Sequence, residues 1–564
     1  MAGDTLYDED LVSKLNELGE DKRRAEYVLI DRIKPPVVKN YIVQSGKDVE
    51  NRETVSEIGI FAAIISQGEN LLINSTCGHI LKTKTKSYKE GGASVDNAFE
   101  YIDSPFLLDD LDGLNIIHVS GTKGKGSVSA FCESILRAND LKTGFLSSPA
   151  LIEHRERIRI NGLPLTREEF IEYFFHVYKK VDNPQILNGQ RLIAMTAFHA
   201  FIQKRVDVVI MEVGIGGTYD YTNVIRRPVV TGINLIDFDH TKYLGDTLDK
   251  IAWHKAGICK PGRPAFTITQ SKEAMDTILS RAKELKAPIQ LVPELDEYDW
   301  QGHPMKLGIA GDHQKRNASL AIQLCRAWME EHTLSNTSFE NIKTNDTLKH
   351  SYPTAPAFKL SDAFIVGLRN CQWPGRTQII KRENVTYYLD GAHTPISIKA
   401  CAEWFKSRCV KVMLFNVTGD RDPRGLIEML HHCNFSCATF CPNIVDINSK
   451  QPLLDTEWKI SLEYANDVCE KNRQVWKILD EKVEPDSLSP LPARPPRIEL
   501  DTAPRFDCVK HVLQWISCGK DSRMSKPRSE DPTPLQSIVE ADHVQVLVTG
   551  SLHLVGCVIK VLEL

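Results

Sequence analysis

Three glycines and two lysines crowd into "IHVSGTKGKGSVSA" (residues 117–130), between an apolar run and a helical pattern. Glycines let backbone N–H groups turn inward, and a helix N-terminus adds partial positive charge, so the stretch suits a phosphate. Lys125 can reach terminal phosphates from it. The Walker spacing is imperfect: Val119 stands where the first glycine belongs, and Gly126 separates Lys125 from Ser127. A tight structural turn is the competing reading. Neither this loop nor "VGIGGTYD" is a dinucleotide fingerprint; in the latter Tyr219 holds the third glycine position.

Other chemically capable residues follow apolar runs. "VDVVIMEVG" ends at Glu212, and "INLIDFDHTKYLG" carries Asp237, Asp239 and His240. Each alone reads as a hydrogen-bonded loop residue. At neighbouring strand ends beside a phosphate loop, a carboxylate and an imidazole could hold Mg²⁺. In "DTLDKIAWHKAGI", Lys255 shares a helical face with Leu248, Ile251 and Ala252. Burying an ammonium there is costly unless it is paired or modified. The alternative is a lysine whose stem packs while its charge snorkels outward. "VTYYLDGAHTPIS" sets Asp390 and His393 in a glycine turn, just after Arg376 of "CQWPGRTQ". An arginine and an aspartate from a second domain could clamp a nucleotide held by the first. The most metal-like run, "HHCNFSCATFC", holds His431, His432, Cys433, Cys437 and Cys441 but no CxxC, so buried thiols are a better reading than zinc.

The elements that must position these residues are short apolar runs ending in polar or glycine turns. They are "LNIIHVSG", "VDVVIMEVG", "VVTGINLID" and "PAFTIT", then "TYYLDGAH", "KVMLFNVTGD" and "VQVLVTGS". Helical patterns such as "SVSAFCESILRAND" fall between them, which indicates parallel α/β sheets. Two groups separated by a polar stretch at 331–358 imply two α/β domains with a boundary near 365. The division is then 1–100, without clear period apart from a helical "LYDEDLVSKLNEL", 101–365 and 366–564. Residues 481–505 and 517–536 are rich in proline, serine and charge and are expected to bury little.

The 564 residues carry a net charge of -5, 42% hydrophobic and 25% charged residues, the balance of a globular protein without general attraction to nucleic acid. No stretch approaches the ~18 apolar residues of a membrane span. The acidic N-terminus resembles neither a secretory signal nor a mitochondrial presequence. The 14 scattered cysteines suit a reducing compartment, so a cytoplasmic location is expected.

In order, "IIHVSGTKGKGS", "LKTGFLSSPAL", "RERIRING", "EVGIGGTYDYTNV", "DHTKYLGDTLDKIAWHKAGI", "QWPGRTQ", "DGAHTPIS", "FNVTGDRDP" and "VLVTGSLHLVG" resemble the eukaryotic folylpolyglutamate synthases, relatives of the bacterial Mur ligases. The resemblance runs from about residue 108 to the end. It implies a Mur ligase-type P-loop ATPase domain with a smaller Rossmann-like C-terminal ligase domain. It implies that ATP phosphorylates the γ-carboxylate of a folate's glutamate, and that the amine of free L-glutamate attacks the acyl phosphate to give a γ-amide, ADP and phosphate. It assigns Gly124, Lys125, Gly126 and Ser127 to the ATP phosphates, and Asn317, Arg376 and Asp390 to the nucleotide. It assigns Ser148, Glu212 and His240 to Mg²⁺, with K⁺ as a further candidate ion. Lys255 matches a lysine carbamylated in relatives. His393 and Ser551 match positions near the incoming glutamate, and Arg157 lies toward substrate. A monomer acting on reduced folates is implied, and a mitochondrial form from another start site is compatible with it. Two features depart from the family: Ala150 replaces a histidine, and residues 24–95 look foreign. The rival readings are a dihydrofolate synthase, a P-loop switch, for which no NKxD motif is present, and a non-catalytic folate-binding descendant.

Overall fold

The computed structural model describes residues 111, 113–181, 189–332, 352–405, 410–417, 421–448, 461–481 and 502–563, and the backbone of strands between 37 and 98. The expected first helix lies outside the described residues, as does most of the polar stretches at 331–358 and 481–505.

Residues 1–105 form one compact unit. Its strands are β1 (Val37–Val43), β2 (Glu50–Gln67), β3 (Asn70–Thr85) and β4 (Asn97–Ala98), paired antiparallel in the order β3-β2-β1-β4. No alternation marks these strands in the sequence. β2 ends in "IGIFAAIISQ", where apolar residues run consecutively, a pattern that does not separate strand from buried helix.

Residues 106–564 form the second unit, built on two sheets. The first contains β5 (Ile116–Ser120), β6 (Thr143–Leu146), β7 (Ile158–Ile160), β8 (Leu163–Pro164), β9 (Val208–Glu212), β10 (Val230–Ile233), β11 (Ala265–Thr267) and β12 (Ile289–Leu291). Their order is β12-β11-β10-β5-β9-β6-β7-β8, parallel from β12 to β6 and antiparallel in the last two pairings. Every residue of β5 and β9 is buried, as expected where helices cover both faces of a parallel sheet. The helix Lys125–Ala138 packs against the helices Gln314–Glu331 and Asp362–Asn370. The expected boundary at 365 thus falls inside a helix that covers the first sheet.

The second sheet contains β13 (Gln378–Lys381), β14 (Val385–Leu389), β15 (Val410–Phe415), β16 (Cys437–Phe440) and β17 (Val544–Thr549) in the order β13-β14-β17-β15-β16. Only β13 runs antiparallel. Helices Val509–Ser517 and Leu552–Glu563 carry much of its core, including Val512, Trp515, Val555 and Val558.

The segment 517–536 buries little, as expected, yet it is anchored. It is irregular but held. Asp521 is 2% exposed, Trp515 Nε1 donates to Pro532 O at 2.7 Å, and Arg528 pairs with Asp531 at 2.6 Å. A few buried polar anchors fix a stretch whose composition offers little apolar surface.

Candidate active site

β5 is flanked by β10 and β9. The chain leaves β5 toward β6 on one side and returns from β9 to β10 on the other. The carboxyl end of β5 is therefore the point where strand order reverses, the crevice in which open α/β sheets bind ligands. The glycine loop springs from it. Gly124 has φ 75° and caps the helix Lys125–Ala138. A Cβ there would stand 2.3 Å from Asn234 Nδ2 and 2.5 Å from Asn317 Oδ1. Asn234 Nδ2 donates to Lys123 O at 2.9 Å and to Asn317 Oδ1 at 2.7 Å, so Asn317 braces the loop through Asn234.

Two lysines meet under this loop. Lys125 Nζ donates to Gly121 O at 3.0 Å, and Lys255 Nζ donates to the same oxygen at 2.9 Å. Lys255 is 3% exposed on the face that also buries Ile251 and Ala252. Burial pushes its ammonium well below the ordinary lysine value, and repulsion from Lys125 adds to the effect. The glycine after β9 lets the two segments meet: a Cβ on Gly217 would lie 2.6 Å from His254 O and 2.9 Å from Lys255 O.

Glu212 ends β9, and its Oε2 accepts the Ser148 N–H at 3.0 Å. Burial raises its carboxyl, while the Lys125 charge, that hydrogen bond and the Arg376 charge pull it down. His240 adopts φ 53° at the head of the helix Thr241–Leu244. Burial holds its imidazole below the ordinary value; Asp239 opposes this, and Lys125 and Lys255 reinforce it. A carboxylate, the Ser148 hydroxyl and a neutral imidazole form a donor set suited to a divalent cation, so these residues fit the metal expected of them. Arg157 is 1% exposed; its Nε donates to Ser147 O at 2.9 Å and its Nη2 to Tyr221 OH at 3.3 Å, so it fixes the loop bearing Ser148 from beneath.

The second sheet brings its own set. Asp390 follows β14 and accepts from Thr377 N at 2.8 Å and Ala392 N at 2.9 Å. Burial raises its carboxyl, and the Arg376 charge opposes that. Arg376 is half-buried and feels both Asp390 and Glu212, one from each sheet. His393 Nδ1 lies 2.7 Å from Gly391 O, which accepts its N–H, and its Nε2 is 3.4 Å from Lys123 Nζ. Burial lowers His393 to about 4. Ser551 heads the last helix and accepts from His553 N at 3.2 Å. Ser127 is buried in the first turn of its helix.

Lys125, Lys255, Glu212, Ser148, His240, Arg376 and Asp390 are thus tied by contact or charge. Loop spacing alone does not single out Lys123 or Arg421. Asp239 takes Lys123 at 2.8 Å, His393 at 3.7 Å and Arg421 at 3.8 Å, which joins the two sheets at one carboxylate. Trp373 lies in the "QWPGRTQ" motif, which assigns it no role. Arg159 lies over its ring at 5.1 Å, and a Cβ on Gly126 would be 3.0 Å from its Nε1. Gly126, Ser148, Ala150, Arg159, Trp373 and Arg376 line a cleft beside the loop. The "HHCNFSCATFC" run holds no metal grouping among the described residues. His431 instead pairs with Asp480 at 3.4 Å, and Cys437 and Cys441 are buried.

A phosphate loop on a central parallel strand, faced by an Arg–Asp pair from a second parallel-rich sheet, is the plan of a Mur-type α/β ligase. Human mitochondrial folylpolyglutamate synthase is 41% identical over 505 residues, covering 82% of this chain and 85% of its own. The chain belongs to the folylpolyglutamate synthase family. A putative folylpolyglutamate synthase of Caenorhabditis elegans is 36% identical, covering 86% of this chain and 90% of its own. Among solved structures, Mycobacterium tuberculosis folylpolyglutamate synthase complexed with ADP matches with TM-score 0.57 at 21% identity, over 81% of this chain and 92% of that one. A bifunctional folylpolyglutamate synthase/dihydrofolate synthase with Mn, AMPPNP and L-glutamate bound matches with TM-score 0.55 at 22% identity, over 81% and 92%. Residues 2–107 match a different model, the ATP-binding domain of eukaryotic glutathione synthase. That match covers the part that looks foreign to the family motifs.

Proposed function

We propose that this chain adds glutamate to the γ-carboxylate of a reduced folate, using ATP and a divalent cation. The observation that carries the reading is the buried Glu212 carboxylate, which feels Lys125 from the first sheet and Arg376 from the second. A carboxylate is a poor electrophile and must be phosphorylated before an amine can displace anything from it. Transfer of a phosphoryl group then needs positioning and fixed positive charge more than covalent help from the protein.

The backbone N–H groups of Gly124 to Ser127 and the Lys125 ammonium hold the phosphates. Arg376 and Asp390 hold the nucleotide from the second sheet, and Asn317 keeps the loop in register through Asn234. Ser148, Glu212 and His240 would hold Mg²⁺, which when bound neutralises phosphate charge. Arg157 fixes the Ser148 loop. Neutral His393 takes the proton that the attacking amine loses, and Ser551 stands beside the incoming glutamate. The cleft at Trp373 and Arg159 offers an aromatic and cationic wall for the folate. Lys255, neutral and buried, is a candidate for carbamylation.

We keep the expected division 1–100, 101–365 and 366–564 with its second boundary moved past the helix Asp362–Asn370, and the chain acts as a monomer. We propose a cytoplasmic enzyme, and the mitochondrial names of its mammalian relatives support a mitochondrial form as well. Among the described residues no helix is long and apolar enough to cross a membrane. The test is ATP-dependent incorporation of labelled glutamate, with tetrahydrofolate in one arm and dihydropteroate in the other. Incorporation with tetrahydrofolate is expected. Incorporation with dihydropteroate alone would make the chain a dihydrofolate synthase, and none in either arm would make it a non-catalytic relative.

A further inference from the structure

Asp446, Cys508 and His511 bring one oxygen, one sulfur and one ring nitrogen within 4.8 Å of one another, away from the nucleotide residues in the sequence and beside the edge strand β16. They are the one such grouping among the described residues. We propose that these three side chains form a binding site for Zn²⁺ or a similarly thiophilic divalent cation, with water as the fourth ligand.

The local fold sets the three donors without any help from a metal. Cys508 caps the helix Val509–Ser517, and His511 lies in its first turn. Asp446 sits on the loop that leaves β16, and backbone bonds hold that loop to the helix: Val509 N donates to Ile444 O at 2.8 Å and Lys510 N to Val445 O at 3.1 Å. Cys508 is fully buried and His511 is 3% exposed. His511 Nδ1 is buried without a hydrogen-bond partner, an unusual state for a ring nitrogen and one that a metal would relieve. One sulfur, one nitrogen and one carboxylate oxygen with an open position is a donor set zinc accepts.

Charge agrees. A thiolate and a carboxylate with a neutral imidazole supply two negative charges against a divalent ion. Without metal, Lys510 partly fills that role, 2.7 Å from Asp446 Oδ2, while Asp446 Oδ1 accepts from Asn448 N at 3.0 Å. The groups facing His511 are Arg528, Asp531, Asp507 and Asp446, so acidic groups outnumber basic ones around it. Binding forms a sulfur–metal bond and releases the Cys508 thiol proton to solvent. The ion would clip the β16 loop to the helix across the whole insertion between Asp446 and Cys508, where closing a long loop gives the largest entropic return.

The experiment is titration of the full-length, chelator-stripped chain with Co²⁺ alone. Expected is a near-ultraviolet thiolate-to-cobalt charge-transfer band saturating at one equivalent and displaced by Zn²⁺. The oxygen and nitrogen ligands of the nucleotide site give no such band. Cys508→Ser should abolish it. Asp446→Asn, on a half-buried loop where folding is not at stake, should weaken affinity about tenfold or more. Lys510→Met removes the same ion pair but should leave affinity equal or tighter. Absence of the band in the wild type, its full persistence in Cys508→Ser, or equal affinities in Asp446→Asn and the wild type would each overturn the site.

Discussion

Lys125 and Lys255 donate to the same atom, the carbonyl oxygen of Gly121, at 3.0 and 2.9 Å. Two ammonium groups on one acceptor repel, and the conflict is resolved by environment. Lys255 is the buried one, pushed toward the neutral amine first by burial and then by Lys125. Lys125 stands half-exposed at the mouth of the phosphate loop. Lys125→Ala should therefore cut ligation by ~10²-fold or more, the usual cost of removing a group that stabilises developing charge. Few core contacts are lost, so the melting temperature should hardly move. A folded Lys125→Ala chain with near-normal turnover would remove the loop from the mechanism.

Lys255 makes a separate prediction. A neutral, buried amine reacts with CO₂, and the carbamate formed is an anion beside cationic Lys125 and neutral His240. Lys255→Ala should lose most activity, and short carboxylic acids in solution should restore part of it. Lys255→Arg should stay inactive, because guanidinium keeps its positive charge. Full activity in protein exhaustively freed of CO₂ and bicarbonate would show that Lys255 works as a plain lysine.

Much of this site is legible in the amino-acid sequence, for a physical reason. The buried parallel strands β5, β9, β10, β14 and β17 are predominantly apolar, and their carboxyl ends carry the polar chemistry. A single reading of run and terminus therefore yields Lys125, Glu212, His240 and Asp390. The rest depends on packing. Lys123 is less conspicuous than Lys125 because loop spacing points to the latter, and only folding brings it Asp239 from the first sheet and His393 from the second. Arg421 stands in a charged turn like many others. "HHCNFSCATFC" misleads by density alone, since His431 turns to Asp480 and Trp476 while Cys437 and Cys441 enter the core. The trio at Asp446 and Cys508 is invisible to any local pattern because its halves are far apart in sequence.

Asp239 is the carboxylate on which the two sheets converge. Burial raises its carboxyl, but nearby His393 and the charge and hydrogen bond of Lys123 outweigh this and hold it well below the usual range. Asp239→Asn removes the charge while keeping the shape. It leaves Lys123 without its counterion, a loss that typically costs a few kcal/mol for a buried pair. We expect kcat/KM for glutamate to fall about tenfold or more, because Lys123 and His393 lose their common anchor. Nucleotide binding in the absence of glutamate should change far less. An Asp239→Asn chain with unchanged kcat/KM would mean that the contact is incidental to catalysis.

His118 gives a prediction about stability rather than rate. It sits in β5 directly beneath the phosphate loop, fully buried. Its Nε2 is 2.9 Å from Thr222 Oγ1, and its Nδ1 has no partner. Burial, with a smaller contribution from Lys260, lowers it from 6.5 to about 3. Between those two values the unfolded chain binds a proton that the folded chain does not. Stability therefore rises with pH across this window and is lost as pH falls from 6.5 toward 3. This one group contributes a slope of up to about 1.4 kcal/mol per pH unit. His118→Gln keeps a donor toward Thr222 but cannot titrate. Urea unfolding at stepped pH should show a shallower loss of stability on the acid side for the variant. Other titrating groups act alike in both chains, so the difference between the two curves isolates His118. Parallel curves through the window would mean that the folded chain admits a charged His118, and that the base of the phosphate loop is wetter than its packing indicates.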